Sequence, residues 1–301
     1  MKILGKTVTL ILLAVLFVGF LVLLYPAISQ YWNSKVQSRA IADYERMLAN
    51  MSTADYTAFF EDAHKYNKAL AALDAPLSQH ERVPGYNDTL NFGNNGVMGY
   101  VSISKIQVEL PIYHGTSTEV LNIAAGHLEG TSLPVGGEGT HCVLSAHRGL
   151  PTASLFTHLD KMEIGDIFTL TVLDKVLTYQ VDSILVIEPQ QTEALSIVPG
   201  EDYCTLLTCT PYGINTHRLL VRGRRIETVE AKKIYVNAEA YIVDRLIVAP
   251  SVALPILFVF IMIVIFKPVK KKVTLDSDGK PTTKTPKEQH PDHTPPKKKR
   301  K

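Results

Sequence analysis

The residues with the clearest capacity for chemistry are three cysteines, Cys142, Cys204 and Cys209, in a chain of 301 residues. Outside the cell, an odd number of cysteines leaves at least one thiol without a disulfide partner. Cys209 differs from the other two because it ends a β-rich run and precedes the turn-rich segment 210–215. A thiol in such a place suits covalent catalysis, so Cys209 is the candidate nucleophile.

A cysteine nucleophile needs a group that favours the thiolate and a group that transfers protons. After the turn, the chain returns through a second β-rich run that contains Arg218. In such a hairpin Cys209 and Arg218 face each other, and a guanidinium there favours the thiolate and stabilises an oxyanion. His147 follows another β-rich run, just before Gly149, and is the candidate general acid/base.

The other two cysteines fall inside β-rich runs. Side chains alternate between the two faces of a strand, so Cys204 should point away from the face that carries Cys209. We predict that Cys142 and Cys204 are buried free thiols. A disulfide between them is the alternative, because its strict geometric requirements are not readable from the sequence.

The sequence predicts no metal and no organic cofactor. The spacing of His127, His141 and His147 matches no helical metal-binding motif. The glycine-rich segment 136–139 lacks the Lys-Ser/Thr that follows in a phosphate-binding loop. The net charge is only +2, so overall charge gives no argument for a nucleic-acid partner.

Short β-rich runs separated by Gly, Pro, Asn and Asp carry these residues, which predicts an all-β barrel or sandwich. Residues 26–73 have apolar side chains at helical spacing, with Ser52 and Thr53 as candidate caps. Segment 74–96 has no period and is long for a loop, as lids and binding segments often are. The seven predicted strands are 98–103, 106–111, 141–146, 167–173, 176–188, 203–209 and 217–223.

Two apolar segments, 8–25 and 246–266, are each close to the length that crosses a bilayer. The first is predicted as an uncleaved anchor, and a cleaved signal peptide is the alternative. Lysines in 1–7 and in the basic tail 267–301 place both termini in the cytoplasm and residues 26–245 outside. The tail could be a nucleic-acid arm, but beside a span it is better explained as a topology signal that contacts anionic lipid.

The segment Thr205-Leu206-Leu207-Thr208-Cys209 resembles the TLxTC signature of sortases. Segment 145–149 resembles the histidine segment of that family, and segment 213–223 resembles its arginine segment. Segments 99–103, 110–116 and 126–134 extend the resemblance, which covers about residues 30–226. The N-terminal helices and the second apolar segment make the chain similar to class C sortases, the pilus-assembly enzymes of Gram-positive bacteria.

This resemblance implies a mainly β fold, a closed sortase-like barrel over 97–226 with N-terminal helices, flanked by two transmembrane helices. Residues 227–245 would be a linker. The implied reaction is attack of Cys209 on the Thr–Gly bond of an LPxTG-like sorting signal on a pilin. Arg218 would stabilise the oxyanion and His147 would transfer protons. A lysine amine of the next pilin would then resolve the thioacyl enzyme as an isopeptide bond, with no metal or cofactor.

The resemblance also implies a lid, which in class C sortases carries an Asp-Pro-aromatic motif over the cysteine. Here the segment 73–77 reads Leu-Asp-Ala-Pro-Leu, so Ala75 separates the acid from the proline and Leu77 replaces the aromatic residue. Asp74 would lie near Arg218 as a pseudosubstrate carboxylate. Thr208, beside the nucleophile, would position substrate through its hydroxyl group.

Three other functions stay open at this stage. The enzyme could attach surface proteins or finished pili to a cell-wall precursor, in which case the acyl acceptor would be a peptidoglycan amine. It could be a secreted cysteine protease, with water resolving the intermediate. It could also be a non-catalytic pilus scaffold, which predicts that Cys209→Ala retains function.

Overall fold

The structure is a computed structural model that describes residues 2–227, 274–275 and 281–282. Eight strands close into a barrel in the order β1-β2-β3-β4-β7-β8-β6-β5. They are β1 (Val97–Ile103), β2 (Val108–His114), β3 (Ala125–His127), β4 (Thr140–Ser145), β5 (Ile167–Val172), β6 (Lys175–Ile187), β7 (Asp202–Thr210) and β8 (His217–Ile226).

The predicted barrel is confirmed, and it contains one strand more than the seven predicted. The additional strand, β3, is only three residues long and pairs in parallel with β2. A three-residue buried strand is too short to show the period-two alternation that identifies strands in a sequence. The strands β4 and β7 also pair in parallel, which brings their carboxyl ends to the same end of the barrel.

In the part of the chain that the structure describes, four helices accompany the barrel: α1 (Lys2–Leu48), α2 (Thr53–Ala71), α3 (Pro76–Gln79) and α4 (Thr118–Leu121). Ser52 caps α2, because its hydroxyl accepts from the amide of Asp55 while that carboxylate accepts from the amide of Ser52. The buried face of α2 joins the barrel core. Short 3-10 turns lie at His80–Arg82, Ser104–Ile106, Leu159–Lys161 and Glu193–Leu195.

The first apolar segment lies inside α1, which continues without a break onto the barrel. Among the described residues, one helix is long and apolar enough to cross a membrane, and it is this one, with a mean hydropathy of 2.8 in its most apolar window. The linker 227–245, the second apolar segment and the basic tail lie almost entirely outside the described residues. The exceptions are two paired strands, β9 (Thr274–Leu275) and β10 (Pro281–Thr282).

The predicted loop 74–96 divides into two parts. The first part forms α3 and the turn His80–Arg82. The second part is fixed in the core, since Leu90 is fully buried and the Tyr86 hydroxyl lies 2.9 Å from Nδ1 of His127. The same hydroxyl accepts a hydrogen bond from the amide of Gly115. Only the first part is therefore free of such anchors to the core.

Candidate active site

Cys209 and Arg218 are direct register partners in the antiparallel pair of β7 and β8. Register partners project to the same face of a sheet, so the two side chains share the outer face of the barrel. Cys204 lies on the inner face and is fully buried, whereas Cys209 is partly exposed. The prediction that Cys209 and Arg218 oppose each other across a hairpin is confirmed, as is the opposite orientation of Cys204.

His147 is brought to the same end of the barrel by the parallel pairing of β4 with β7. The amide of Ala146 donates to the carbonyl of Leu207 over 3.2 Å, which fixes the histidine segment beside the nucleophile segment. Partial burial lowers the pKa of the His147 imidazole below its ordinary value. The ring is therefore mainly neutral at pH 7 and ready to accept a proton.

Thr208 has a different place from the one that the family resemblance implied. Its side chain is only 1% exposed, and its hydroxyl donates to the carbonyl of Ala146 over 2.8 Å. The hydroxyl thus points into the barrel and not toward the substrate face. Its contact joins β7 to the residue just before His147, so the geometry suits positioning and not substrate binding.

Arg148 makes a second connection between the two segments, which the sequence did not reveal. On sequence grounds it is expected only to be solvated or ion-paired. Its side chain is 9% exposed and pairs with Asp160 over 2.5 Å, while Nη1 donates to the hydroxyl of Thr210 over 3.4 Å. The guanidinium also lies 5.9 Å from the centre of the Tyr212 ring. Arg148, which follows His147, is therefore bonded to Thr210, which follows Cys209.

Arg218 is held by the loop that precedes it. Its Nη1 donates to the carbonyls of Asn215 and His217 over 3.2 and 3.1 Å. Asp74 is exposed and forms no ion pair with Arg218 in the part of the chain that the structure describes. The acid–arginine contact implied for the lid is therefore not formed. Ala75 separates Asp74 from the proline, so the acid lies one residue further from the proline than in the Asp-Pro-aromatic motif.

The segment 73–82, called the lid segment here because the family resemblance implies a lid there, contacts the barrel through Leu77. This side chain packs on an outer apolar cluster whose buried members are Val143, Leu195 and Leu220. A Cβ atom on Gly130 would lie 2.7 Å from the Cα atom of Leu77, so the two backbones are in close contact there. The other members of the outer apolar cluster are the partly buried Leu128, Ile187, Ala194 and Leu207.

The outer apolar cluster lies on the same face of the barrel as the candidate active site. Leu207 and Leu220 are register partners on β7 and β8, and the Cys209–Arg218 pair lies two residues further along the same face. The turn after α3 adds a polar contact, since Nε2 of His80 lies 3.3 Å from the Glu129 carboxylate. The segment 73–82 therefore covers the barrel face that leads to Cys209.

A cleft of about 870 Å³ continues this face away from Cys209. It lies between α2 and the lid segment on one side and the connection 192–199 on the other, and the segment 136–140 also lines it. Leu77 and Leu195 belong both to the cleft and to the outer apolar cluster. The outer apolar cluster thus lies between the Cys209–Arg218 pair and this cleft.

The remaining candidates are structural. Cys142 and Cys204 are register partners on β4 and β7, and both are buried free thiols, as predicted. Burial raises the pKa of the Cys204 thiol well above its usual range. His127 bonds to Tyr86 and to the Ser132 carbonyl through its two nitrogens. His141 bonds in the same way to the Ser196 carbonyl and the Thr205 hydroxyl, at 2.9 and 2.7 Å.

The chain matches a protein-family model and is similar to several solved structures. The model of the sortase domain matches residues 101–226. Sortase C1 of Streptococcus agalactiae is 47% identical with a TM-score of 0.58, covering 63% of this chain and 98% of that one. The sortase C structure of Streptococcus pneumoniae is 48% identical with a TM-score of 0.57, covering 63% and 97%.

Two further similar proteins are matched over different shares of their length. A Clostridium perfringens sortase C, solved with the C-terminal cell wall sorting motif, is 44% identical with a TM-score of 0.56, covering 63% of this chain and 99% of that one. Sortase A of Streptococcus agalactiae serotype III is 31% identical over 140 residues, which are 46% of this chain and 56% of that protein. The chain thus spans little more than half the length of this curated relative.

Proposed function

Because the chain belongs to the sortase family, whose members are cysteine transpeptidases, we propose that it cleaves an LPxTG-like sorting signal and joins pilin subunits by isopeptide bonds. The observation that carries the proposal is the register pairing of Cys209 with Arg218, at the barrel end where β4 delivers His147. The class C identity of the similar solved structures supports the pilin as substrate.

The proposed reaction follows from the positions of the three side chains. The neutral His147 imidazole accepts the proton of the Cys209 thiol as the sulfur attacks the scissile carbonyl. The guanidinium of Arg218, on the same face, stabilises the negative charge that develops on the carbonyl oxygen. His147 then gives its proton to the leaving amine as the C–N bond breaks and the thioacyl enzyme forms.

The second half of the reaction reverses these roles. A lysine amine of the next pilin loses a proton to His147 and attacks the thioester carbon. The C–S bond breaks, an isopeptide bond forms, and the sulfur of Cys209 recovers the proton. No step requires a metal or an organic cofactor, so we expect the activity to survive treatment with a chelator.

We further propose that the enzyme is held in the cell membrane by two spans, with the barrel outside and both termini inside. The continuous helix α1 supports the first span. A reporter enzyme that is active only in the cytoplasm, fused after residue 301, tests the arrangement. Activity of that fusion is expected, and its absence would place the C-terminus outside.

The proposed function is tested with the full chain in nanodiscs and candidate pilins that carry LPxTG-like signals. Wild-type enzyme is expected to yield multimers that resist denaturation and contain a lysine isopeptide by mass spectrometry, whereas Cys209→Ala yields none. A Cys209 thioester that reacts only with a peptidoglycan-precursor amine would show instead that the enzyme attaches proteins or pili to a cell-wall precursor. Hydrolysis unaffected by either amine would establish a protease, and pilus assembly retained by Cys209→Ala would establish a scaffold.

We also propose that Leu77, and not Asp74, keeps the lid closed. The Leu77 side chain is packed on the outer apolar cluster, whereas Asp74 is exposed and has no ion pair with Arg218 among the described residues. Leu77→Ser should therefore open the lid and raise the rate of thioester formation by several-fold, since about 2 kcal/mol of apolar burial is lost.

Asp74→Ala is the matched control, because it changes the same segment without touching the apolar contact. It should leave the rate of thioester formation unchanged. A larger rate increase from Asp74→Ala than from Leu77→Ser would show that a carboxylate contact closes the lid, as the family resemblance implied.

A further inference from the structure

Helix α1 runs beside the barrel from one end to the other, and its direction is set by hydrogen bonds. Near its apolar half, Gln30 donates to the Ser154 hydroxyl over 2.6 Å and Asn33 donates to the Thr152 carbonyl over 2.9 Å. Further along, the Tyr44 hydroxyl donates to the Met98 carbonyl over 2.9 Å. The segment 152–154 therefore marks the barrel end nearest the apolar run, and the start of β1 marks the far end.

The end nearest the apolar run is the one that carries the active site. Segment 149–157 begins two residues after His147, and segment 210–216 begins one residue after Cys209. The two segments touch, since a Cβ atom on Gly149 would lie 3.1 Å from the Tyr212 ring. At 1.5 Å per residue, Asn33 lies about 12 Å along the helix from the end of the apolar run at Tyr25.

Two segments at this end, together with the adjoining part of α1, have the composition of a bilayer interface. Segments 149–157 and 210–216 contain no Asp, Glu, Lys or Arg. Tyr212 and Ile214 are 59% and 68% exposed, and on α1 Trp32 is 65% exposed. The exposed Lys35 and Arg39 follow one and two turns later. Aromatic residues favour the level of lipid headgroups, and cations just beyond them attract anionic lipid.

The far end of the barrel is charged in contrast. The turn between β5 and β6 exposes Asp174 and Lys175, and the neighbouring helix α2 exposes Glu61 and Asp62. Tyr44, which reaches this end, lies about 28 Å along α1 from Tyr25. The two uncharged segments therefore lie at the active-site end, the end from which the apolar run of α1 leaves the barrel. Glu188, which follows the register partner of Arg218, is exposed at that end as well, so the contrast concerns these two segments.

We propose that the active-site end of the barrel rests on the outer surface of the bilayer, with Tyr212 and Ile214 among the lipid headgroups. The partner of this surface is the lipid bilayer itself. The thioacyl enzyme then forms close to the membrane surface. The helix α1 fixes the distance between the active site and the membrane. This inference rests on α1 as a membrane span and does not depend on the proposed transpeptidation.

The chain contains a single tryptophan, Trp32, which makes a fluorescence test direct. The full chain is placed in nanodiscs that contain lipids brominated near the headgroup end of the acyl chains, and quenching of Trp32 is measured first. A Trp32→Phe background then receives either Tyr212→Trp at the active-site end or Val176→Trp at the far end. Circular dichroism and thermal melting establish that each variant is folded.

Trp32 and the tryptophan of Tyr212→Trp are expected to be quenched several-fold more by brominated lipid than that of Val176→Trp. Acrylamide in the aqueous phase is expected to quench in the opposite order. Equal and weak lipid quenching for Tyr212→Trp and Val176→Trp would overturn the proposal, and an unquenched Trp32 would overturn it at the first step. Because the measurement needs no substrate, its failure is distinguishable from a failure of the proposed reaction.

Discussion

At the scale of single residues, the environment of Cys209 is the opposite of that of the other two cysteines, although Cys204 lies only five residues before it. Cys142 and Cys204 are buried in the barrel core, whereas Cys209 is partly exposed on the outer face. Burial also raises the pKa of the Cys204 thiol, which disfavours the reactive thiolate. Reactivity toward a soluble electrophile should therefore separate the nucleophile from the two structural thiols.

Iodoacetamide is expected to label only Cys209 in the folded protein and all three cysteines after denaturation. Peptide mass spectrometry identifies the labelled sites, and Cys209→Ala, which should take no label when folded, is the control. Labelling of Cys142 or Cys204 at a rate close to that of Cys209 would contradict the buried placement of these thiols.

The titration of His147 is the second prediction at this scale. Burial lowers the pKa of the imidazole, so protonation should occur below the ordinary histidine value of about 6.5. As pH falls through this lowered pKa, His147 gains a proton and can no longer accept one from Cys209, so activity should be lost on that side.

Carbon-13 labelled histidine and NMR on Cys209→Ala measure the His147 titration without the coupled thiol, and His147→Gln assigns the signal. A midpoint at or above about 6.5 would show that the ring is not desolvated as described.

At the scale of elements, the site depends on how firmly the end of β4 is held against the end of β7. Arg148 makes this connection through Asp160 and Thr210. Arg148→Met should therefore lower kcat about tenfold with little change in KM, since it misplaces His147 without removing it. Arg148→Lys should recover part of the lost kcat, because lysine keeps the positive charge but lacks the planar guanidinium that bonds two partners at once.

Arg222→Met is the matched control for this prediction. Arg222 forms a two-bond pair with Asp182 between β8 and β6, four residues beyond Arg218 on the strand. Both variants should lower the melting temperature to a similar extent, whereas only Arg148→Met should lower kcat. An equal loss of kcat in the two variants would reduce the role of Arg148 to general stability.

The same elements show what the sequence could and could not predict. Cys209 and Arg218 were predictable because a hairpin pairs residues that are close in the chain. The contacts of Thr208 and Arg148 were not, since they depend on the parallel pairing of β4 with β7, about 60 residues apart. The strand β3 was too short to show a period, and Tyr86 anchors to the core a segment whose Gly, Pro and Asn content indicated only a loop.

At the scale of the whole molecule, α1 joins a segment apolar enough to cross a membrane to a segment that is part of the folded domain. Its apolar half is exposed, but Tyr44 is completely buried and Leu48 nearly so, within the barrel's core cluster. The Tyr44 hydroxyl also accepts from the amide of Leu173 over 2.8 Å while donating to the carbonyl of Met98. Removal of these contacts would leave an apolar surface and two backbone groups without partners.

Two truncations separate these roles of α1. In a chain that ends at residue 240, and so lacks the second apolar segment, removal of residues 1–29 should leave a soluble domain with nearly unchanged free energy of unfolding, because Gln30, Asn33 and Tyr44, which bond α1 to the barrel, are retained. Removal of residues 1–49 should lower the free energy of unfolding by several kcal/mol, since two large core side chains are lost. Chemical denaturation followed by tyrosine fluorescence measures both values.

A milder variant keeps this prediction testable if the larger truncation does not fold. Tyr44→Phe in the domain that starts at residue 30 retains the ring but leaves the Met98 carbonyl and the Leu173 amide unpaired. It should cost about 1–3 kcal/mol. Tyr100→Phe should cost less, because the Tyr100 hydroxyl contacts the exposed Glu45 carboxylate and the partly exposed Thr171 side chain, and both can bond to water instead. Equal stability of all these forms would mean that α1 is only an anchor, and the barrel would then be free to tilt away from the membrane instead of being held at a fixed height above it.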